Sequence, residues 1–485
     1  MLAVCSVIPH DVLVRVFGHG GFRGQQEAVI DHLLAGGHAL SIMPTGGGKS
    51  LCYQIPAIVL AAQHAEGGAA PLSIVISPLI ALMKDQVDAL VARGIDAAFI
   101  NSSLSREERE ARYAAVAAGR LTLLYVTPER FRKPEFLDAL RGRRIVLLAV
   151  DEAHCISEWG HDFRPDYTRL REFRRLLGDP VTVALTATAT PDVQRDIIAQ
   201  LGFAPGEVAT FHEGIERPNL RLAVREVWGD DEKVGHILDV CARHGGAGSG
   251  IVYFTLIRVL DRFSTLLREQ GIPHRCYHGD LDRDTRRQVQ EAFMSGAGEL
   301  VLATNAFGMG IDKDDIRFVV HAEIPGSMES WYQEIGRAGR DGRDADCVLL
   351  YDERDLMTQM EFIDWSNPGS EIYERVFDLL VSRHEEVAAF GLPWMRDRLH
   401  AGARHDRRLE TALAMLERYG VIEGDWRDEE RVRLEVVADL PPRFREGGFL
   451  QEKHRRDRQK LLTLVEFARH EGDPREFLRG YFFGE

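Results

Sequence analysis

The chain has 485 residues, 45 % apolar and 28 % charged, with a formal net charge of −15. That length holds roughly three domains, and no apolar run approaches the roughly 18 residues of a membrane span. Taken alone the acidity speaks against a nucleic-acid binder, but it does not settle the question, because a positively lined track can sit on an otherwise acidic surface. Six cysteines (Cys5, Cys52, Cys155, Cys241, Cys276, Cys347) form no close pair, which argues against a disulfide framework or a cysteine zinc site and fits a reducing cytoplasm.

The first sixteen residues are apolar, but Pro9, His10 and Asp11 interrupt them and no basic leader precedes them. They read as a folded helix rather than a signal peptide. In FGHGGFRGQQEAVI (Phe17 to Ile30), Gln26 offers an amide donor and acceptor to an adenine edge, with Arg23 or His19 against the ring. An ordinary amphipathic helix start is the alternative.

Ala39 to Met43 reads as a strand and leads into MPTGGGKS (Met43 to Ser50). Thr45, Gly46, Gly47 and Gly48 would close backbone N–H groups around phosphate oxygens. Lys49 would reach the β and γ phosphates, and the Ser50 hydroxyl would ligate Mg²⁺. The general pattern wants glycine where Met43 stands, so a glycine-rich turn ending in Lys-Ser is the competing reading.

Strand signals follow at Leu72 to Ser77, Leu121 to Val126, Ile145 to Val150 and Val181 to Leu185, with helical stretches between them. DEAH (Asp151 to His154) sits directly after the third. A carboxylate at the C-terminal end of a parallel strand faces the ligand crevice; Asp151 would hold Mg²⁺ and Glu152 would orient or deprotonate the attacking water.

A connection around Phe203 to Leu220 and the loop HGGAGSG (His244 to Gly250) lead to a second series, Gly250 to Phe254, Leu300 to Ala303 and Phe318 to His321. In QEIGRAGRDG (Gln333 to Gly342), Arg337 and Arg340 lie three apart on one helical face. Arg340 is the candidate arginine finger, worth roughly 10³ to 10⁵ in rate, with Arg337 in support. After Asp352 the alternation stops. Leu409, Leu413 and Leu416, a turn region at Gly424-Asp425 and the strand-like Arg431 to Val437 suit a winged helix, with a generic helical cap as the alternative.

The expected fold is therefore α/β: two RecA-like parallel-sheet lobes (1–207 and 208–352) followed by a smaller helical, winged-helix-like C-terminal region (353–485).

With these segments, SPLIALMKDQV (Ser77 to Val87), TPER (Thr127 to Arg130), ALTATAT (Ala184 to Thr190), ATNAFGMGIDK (Ala303 to Lys313) and above all CISEWGHDFRPDY (Cys155 to Tyr167), the chain resembles the RecQ family of superfamily 2 DNA helicases. The resemblance runs from about Phe17 to Tyr351. It implies ATP and Mg²⁺ as cofactors and single-stranded and partially duplex DNA as partner, with no membrane and no named protein partner. The implied activity is 3′ to 5′ translocation and unwinding in repair or recombination. An ATPase that binds or remodels DNA with little unwinding is the alternative.

By that resemblance Gln26, with Arg23, recognises adenine, and His19 stands where tyrosine is usual. Trp159, Phe163 and Arg164 sense single-stranded DNA, and aromatic faces suit this because they stack on any base. Lys84 and Thr304 lie along the DNA track, while Thr186, Thr188, His154 and Gln333 couple hydrolysis to lobe movement.

The third region departs from the family. No cysteine follows Cys347, so the usual four-cysteine zinc module cannot be built, and zinc is not expected. The tail Lys460 to Glu485 resembles the helical part of that module, with Ala468 and Asp473 at expected cysteine places. The basic stretches Arg404 to Arg408 and Arg455 to Lys460 are candidate phosphate contacts or ordinary solvated helix faces.

Overall fold

Short β-branched runs become central strands only where helices cover both of their faces, and this happens twice. The computed structural model describes residues 8–63, 70–157, 167, 169–214, 217–245, 248–296, 298–308, 311, 313–399, 406–426 and 432–484. The first lobe contains β1 (His38–Ile42), β2 (Leu72–Ile76), β3 (Ala97–Ile100), β4 (Leu123–Val126), β5 (Ile145–Val150), β6 (Val181–Thr186) and β7 (Val208–His212). They form one sheet in the order β3-β4-β2-β5-β6-β1-β7, with parallel pairings.

The two-residue period of a strand sends successive side chains to opposite faces. Leu40, Ile42, Ile74, Ile76, Leu124, Leu148 and Val150 enter one core. Their neighbours Ala39, Val75, Leu123, Tyr125, Leu147 and Ala149 enter the other.

The second lobe has β8 (Leu220–Glu226), β9 (Ser249–Tyr253), β10 (Arg275–Tyr277), β11 (Leu300–Ala303), β12 (Ile316–His321) and β13 (Ala345–Tyr351), in the order β10-β11-β9-β12-β13-β8. The strands expected from sequence are all present to within about two residues; β3, β7, β8, β10 and β13 are additional. The expected lobe boundary at 207 shifts. Val208–His212 pairs along β1 residue for residue, so the first sheet runs to His212 and the linker begins at Glu213.

The chain forms two compact units. One holds both sheets, with residues up to Ala322, Glu329–Leu350 and those from His470 onward; the other holds Glu323–Met328 and Tyr351–Arg469. The expected third region, 353–485, is thus divided: its last helix, Pro474–Phe483, belongs with the sheets. The reason is its apolar face. Leu478 and Phe482 are buried, Phe482 against Tyr332, while Arg475 Nη2 donates to the Leu220 carbonyl at 2.9 Å and the Tyr481 hydroxyl donates to Glu329 at 2.8 Å.

In the other unit, helices Ser370–Ser382, His384–Leu399 and Arg408–Arg418 pack around Tyr373, Leu392, Leu409, Leu413, Leu416 and Phe444. An antiparallel hairpin of β14 (Ile422–Asp425) and β15 (Arg433–Val436) follows. The expected turn at Gly424-Asp425 lies inside β14, where those residues pair with Leu434 and Arg433. The N-terminal helix begins at Pro9, and Met1 to Val7 lie outside the described residues. Among the described residues no helix is long and apolar enough to cross a membrane.

Candidate active site

The loop after β1 returns on itself through Gly46 and Gly48, with φ of +82° and +76°, a backbone region side-chain-bearing residues rarely enter. Lys49 Nζ lies 3.2 Å from the Met43 carbonyl and 3.4 Å from that of Pro44, so its charge is held over the loop by weak acceptors that a phosphate can replace. Gln26 is 1 % exposed and braces the same loop. Its Nε2 donates to Gly47 O (3.0 Å) and Gly48 O (3.2 Å), and its Oε1 accepts from the Arg23 amide (2.9 Å). His19 and Arg23 are exposed beside it.

Across the floor, Asp151 follows β5 and is buried. Burial, with the neighbouring Glu152 charge, pushes its carboxyl well above the usual carboxylate range, against the pull of Lys49 and hydrogen bonds from the Glu152 amide and Ser77. A carboxyl so placed is stabilised by a cation. Mg²⁺ carried with phosphates needs only one or two protein oxygens, and Ser50 and Asp151, which both line the cleft, are the candidates to provide them. Glu152 holds a left-handed backbone (φ 49°, ψ 48°), a strain of about 1–3 kcal/mol that clusters at functional sites.

From Glu152 a line of polar contacts runs to the second lobe. His154 Nδ1 is 3.4 Å from Glu152 Oε2 and 3.0 Å from Thr186 Oγ1. The Thr186 hydroxyl donates to the Thr188 carbonyl at 3.1 Å and accepts from the Thr188 amide at 3.2 Å. Gln333, on the helix Met328–Ile335, donates from Nε2 to Thr188 Oγ1 at 3.2 Å. All four residues expected to couple the lobes lie on this one path.

The expected helical face for Arg337 and Arg340 is not formed. The helix ends at Ile335, and both arginines sit on the glycine-bearing turns that follow. Both still line the cleft of about 300 Å³ together with Thr45, Lys49, Asp151 and Glu152. The stem of Arg340 crosses to the first lobe closely enough that a Cβ on Gly46 would lie 3.4 Å from its Cγ. Arg337 is held within its own lobe, its Nη1 donating to the Gly308 carbonyl.

The expected DNA contacts fare unevenly. Trp159, Phe163 and Arg164 lie outside the described residues. Lys84 is exposed on the helix Ile80–Ala92, paired with Asp88 at 2.5 Å. Thr304 is 6 % exposed and its amide donates to the Tyr277 carbonyl at 3.1 Å, so its hydroxyl is the group left for a ligand. In the basic stretches, Arg408 pairs with Asp406, and Arg455 and Arg456 both pair with Glu452, which offsets their charge locally.

Two residues escape the sequence reading because neither belongs to a recognisable pattern. Glu213, at the head of the linker, has a carboxyl raised by burial and lowered by Lys49 and Arg23. Arg217, in the same linker, donates to carbonyls of both lobes. The only available signal was a charged cluster, ERPN, in a connection with no periodicity.

The family model for DEAD/DEAH box helicases matches residues 23–197, and that for the helicase conserved C-terminal domain matches residues 232–342. The chain is 46 % identical over 357 residues to the ATP-dependent DNA helicase RecQ of Bacillus subtilis, covering 73 % of this chain and 58 % of that one. It is 37 % identical to the probable ATP-dependent DNA helicase RecS of the same organism, covering 77 % of this chain and 73 % of the relative. The chain belongs to the RecQ family. RecQ membership accounts for the order of the segments lining the cleft. The chain spans little more than half the length of the RecQ proteins of B. subtilis, Pasteurella multocida and Haemophilus influenzae. Among solved structures, the Mycobacterium smegmatis helicase Lhr, bound to single-stranded DNA and AMP-PNP, superposes with a TM-score of 0.54 at 22 % identity, over 87 % of this chain and 59 % of that one. This likeness extends the two-lobed fold beyond RecQ.

Proposed function

We propose that this RecQ-family chain is an ATP-dependent DNA helicase. It would act in the cytoplasm, moving 3′ to 5′ along single-stranded DNA and separating partial duplexes in repair or recombination. The observation that carries this reading is the polar path from Glu152 through His154, Thr186 and Thr188 to Gln333, which joins the hydrolytic carboxylate to the opposite lobe.

In the mechanism this supports, Lys49 exchanges the Met43 and Pro44 carbonyls for β- and γ-phosphate oxygens, and the loop amides complete the cradle. Ser50 and Asp151 would hold Mg²⁺, which would supply neutralisation of phosphate charge. Glu152 takes the proton of the attacking water. Arg340 meets the charge developing on the transferred phosphoryl group, with Arg337 fixing the turn that carries it. Gln26 keeps one Oε1 lone pair, enough to accept from the adenine amino group while its amide nitrogen holds the loop.

Strand binding falls to Lys84, Thr304, Trp159, Phe163 and Arg164, and release of product lets the lobes part so that phosphate grips alternate. A duplex step costs about 1.4 kcal/mol, so stacking energy poses no obstacle to one ATP per step. The hairpin β14–β15 with its three helices is the candidate winged helix, in a region where zinc is not expected.

The test is ATP-driven strand displacement on a 3′-tailed partial duplex, with a 5′-tailed duplex beside it. Displacement from the 3′ tail alone is expected. DNA-stimulated hydrolysis without displacement from either tail would overturn the unwinding activity.

A further inference from the structure

We infer that Arg217 is a closure latch: a positioning residue on the interlobe linker that sets the distance between the phosphate loop and the arginine-bearing turn. This rests on the ATPase reading above and adds a residue that no motif marks.

Its Nη1 and Nη2 are turned to backbone carbonyls, and its Nε lies 3.4 Å from Asn219 Oδ1. Nη2 donates to the carbonyls of Ala338 and Gly339, each at 2.8 Å, immediately before Arg340. Nη1 donates to the Thr45 carbonyl in the phosphate loop at 3.2 Å, with Gly336 O at 3.5 Å. Among the described residues no carboxylate pairs with it. Burial and the nearby positive charge of Arg340 both act to lower its pKa, so holding a second cation here costs free energy that the carbonyls must offset.

The two ends of this fork differ. Asn219, two residues on, donates from Nδ2 to Gly339 O (2.8 Å) and Arg343 O (2.9 Å), and its own carbonyl accepts from the Ala345 amide at 2.9 Å. The start of β8 is therefore fastened to the arginine turn, and Arg217 moves with the second lobe. Only the Nη1 bond to Thr45 crosses to the first lobe. It forms where Gly336 abuts Thr45, at a spacing where a Cβ on Gly336 would lie 3.2 Å from that side chain.

Separation of the lobes would break that single bond and leave the others intact. Closure remakes it and places Arg340 over the loop. Because a displacement of about 1 Å at a reacting centre costs on the order of 10²-fold, a rigid planar fork suits this duty better than a flexible ammonium.

The experiment is steady-state, DNA-stimulated ATP hydrolysis by the full chain as wild type, Arg217→Ala, Arg217→Lys, Arg340→Ala and the Arg217→Ala/Arg340→Ala double variant, with thermal melting of each. Expected is a fall in kcat of about 10- to 100-fold for Arg217→Ala, with KM for ATP within about threefold of wild type. Arg217→Lys should recover only part of the loss. In the Arg340→Ala background the Arg217 change should cost little more, since the latch acts through that arginine.

Unchanged kcat, an effect confined to KM, or additive losses in the double variant would overturn the latch. If Arg217→Ala melts early, the same comparison made with the folded Arg217→Lys decides. Absence of hydrolysis by wild type is a different result: it would overturn the ATPase reading, and the latch with it.

Discussion

The two walls of the cleft are built by different means. On the first lobe the functional groups stand at the ends of β1, β5 and β6, and several of the groups that hold them are near neighbours, although Gln26 braces the loop from 21 residues away. Lys49 rests on Met43 and Pro44, and Thr186 on Thr188. On the second lobe Arg337 and Arg340 ride on turns, and the groups that hold those turns come from far along the chain: Arg217 and Asn219, more than one hundred residues earlier, and the Gly308 loop. A strand end within a two-sided sheet is fixed by burial of its own side chains, whereas a turn at a lobe's rim must be pinned by hydrogen bonds from elsewhere.

The largest effects should come from breaking each wall at its chemical centre. Arg340→Ala should slow DNA-stimulated turnover by about 10³-fold or more while nucleotide binding persists, measured as steady-state hydrolysis beside equilibrium binding of a fluorescent ATP analogue. Glu152→Gln, on the other wall, should cost about 10²- to 10⁴-fold in kcat with little change in KM. Equal turnover in either variant and wild type would remove that residue from its role.

Asp151→Asn should separate stability from activity on the first wall. Burial and Glu152 disfavour the charged carboxylate, so the nucleotide-free variant should melt higher, by about 1 kcal/mol, while hydrolysis is lost. The sign is checked by pH. A carboxyl raised in the folded state makes its contribution below its unfolded pKa and loses it as pH rises through the folded value. The stability gap between the variant and wild type should therefore widen from acid toward neutral pH.

Smaller effects test the join between the walls. Gln333→Ala removes one neutral hydrogen bond, worth about 1 kcal/mol, and should reduce DNA stimulation about fivefold while sparing basal turnover. Smallest should be Ser105→Ala, far from both walls. Loss of its reciprocal cap with Glu108 should lower stability by about 1 kcal/mol and leave kcat unchanged.

Most of the first wall was legible in the sequence. A strand, three glycines, Lys49 and Ser50 specify a phosphate loop because the chemistry needs those residues contiguous; DEAH after an apolar strand is local for the same reason. Alternating apolar strands and helices likewise gave two parallel sheets. Short strands were lost where pairing rather than composition makes them: Val208–His212 is only half-buried and becomes a strand by its register with β1. The helical face read for Arg337 and Arg340 failed at Gly336 and Gly339, where close packing of the turn replaced the helix.

By itself, then, the sequence determined the candidate groups for this protein's chemistry: which donors, carboxylates and arginines it brings, each within a motif of a few residues, and the two sheets that carry them. Tertiary structure alone decided where the first lobe ends, that the last helix returns to the sheets, that Gln26 braces the phosphate loop, and that Arg217 reaches both lobes at once. Those are contacts between distant segments, fixed by burial and by unpaired carbonyls seeking donors, and no local pattern records them.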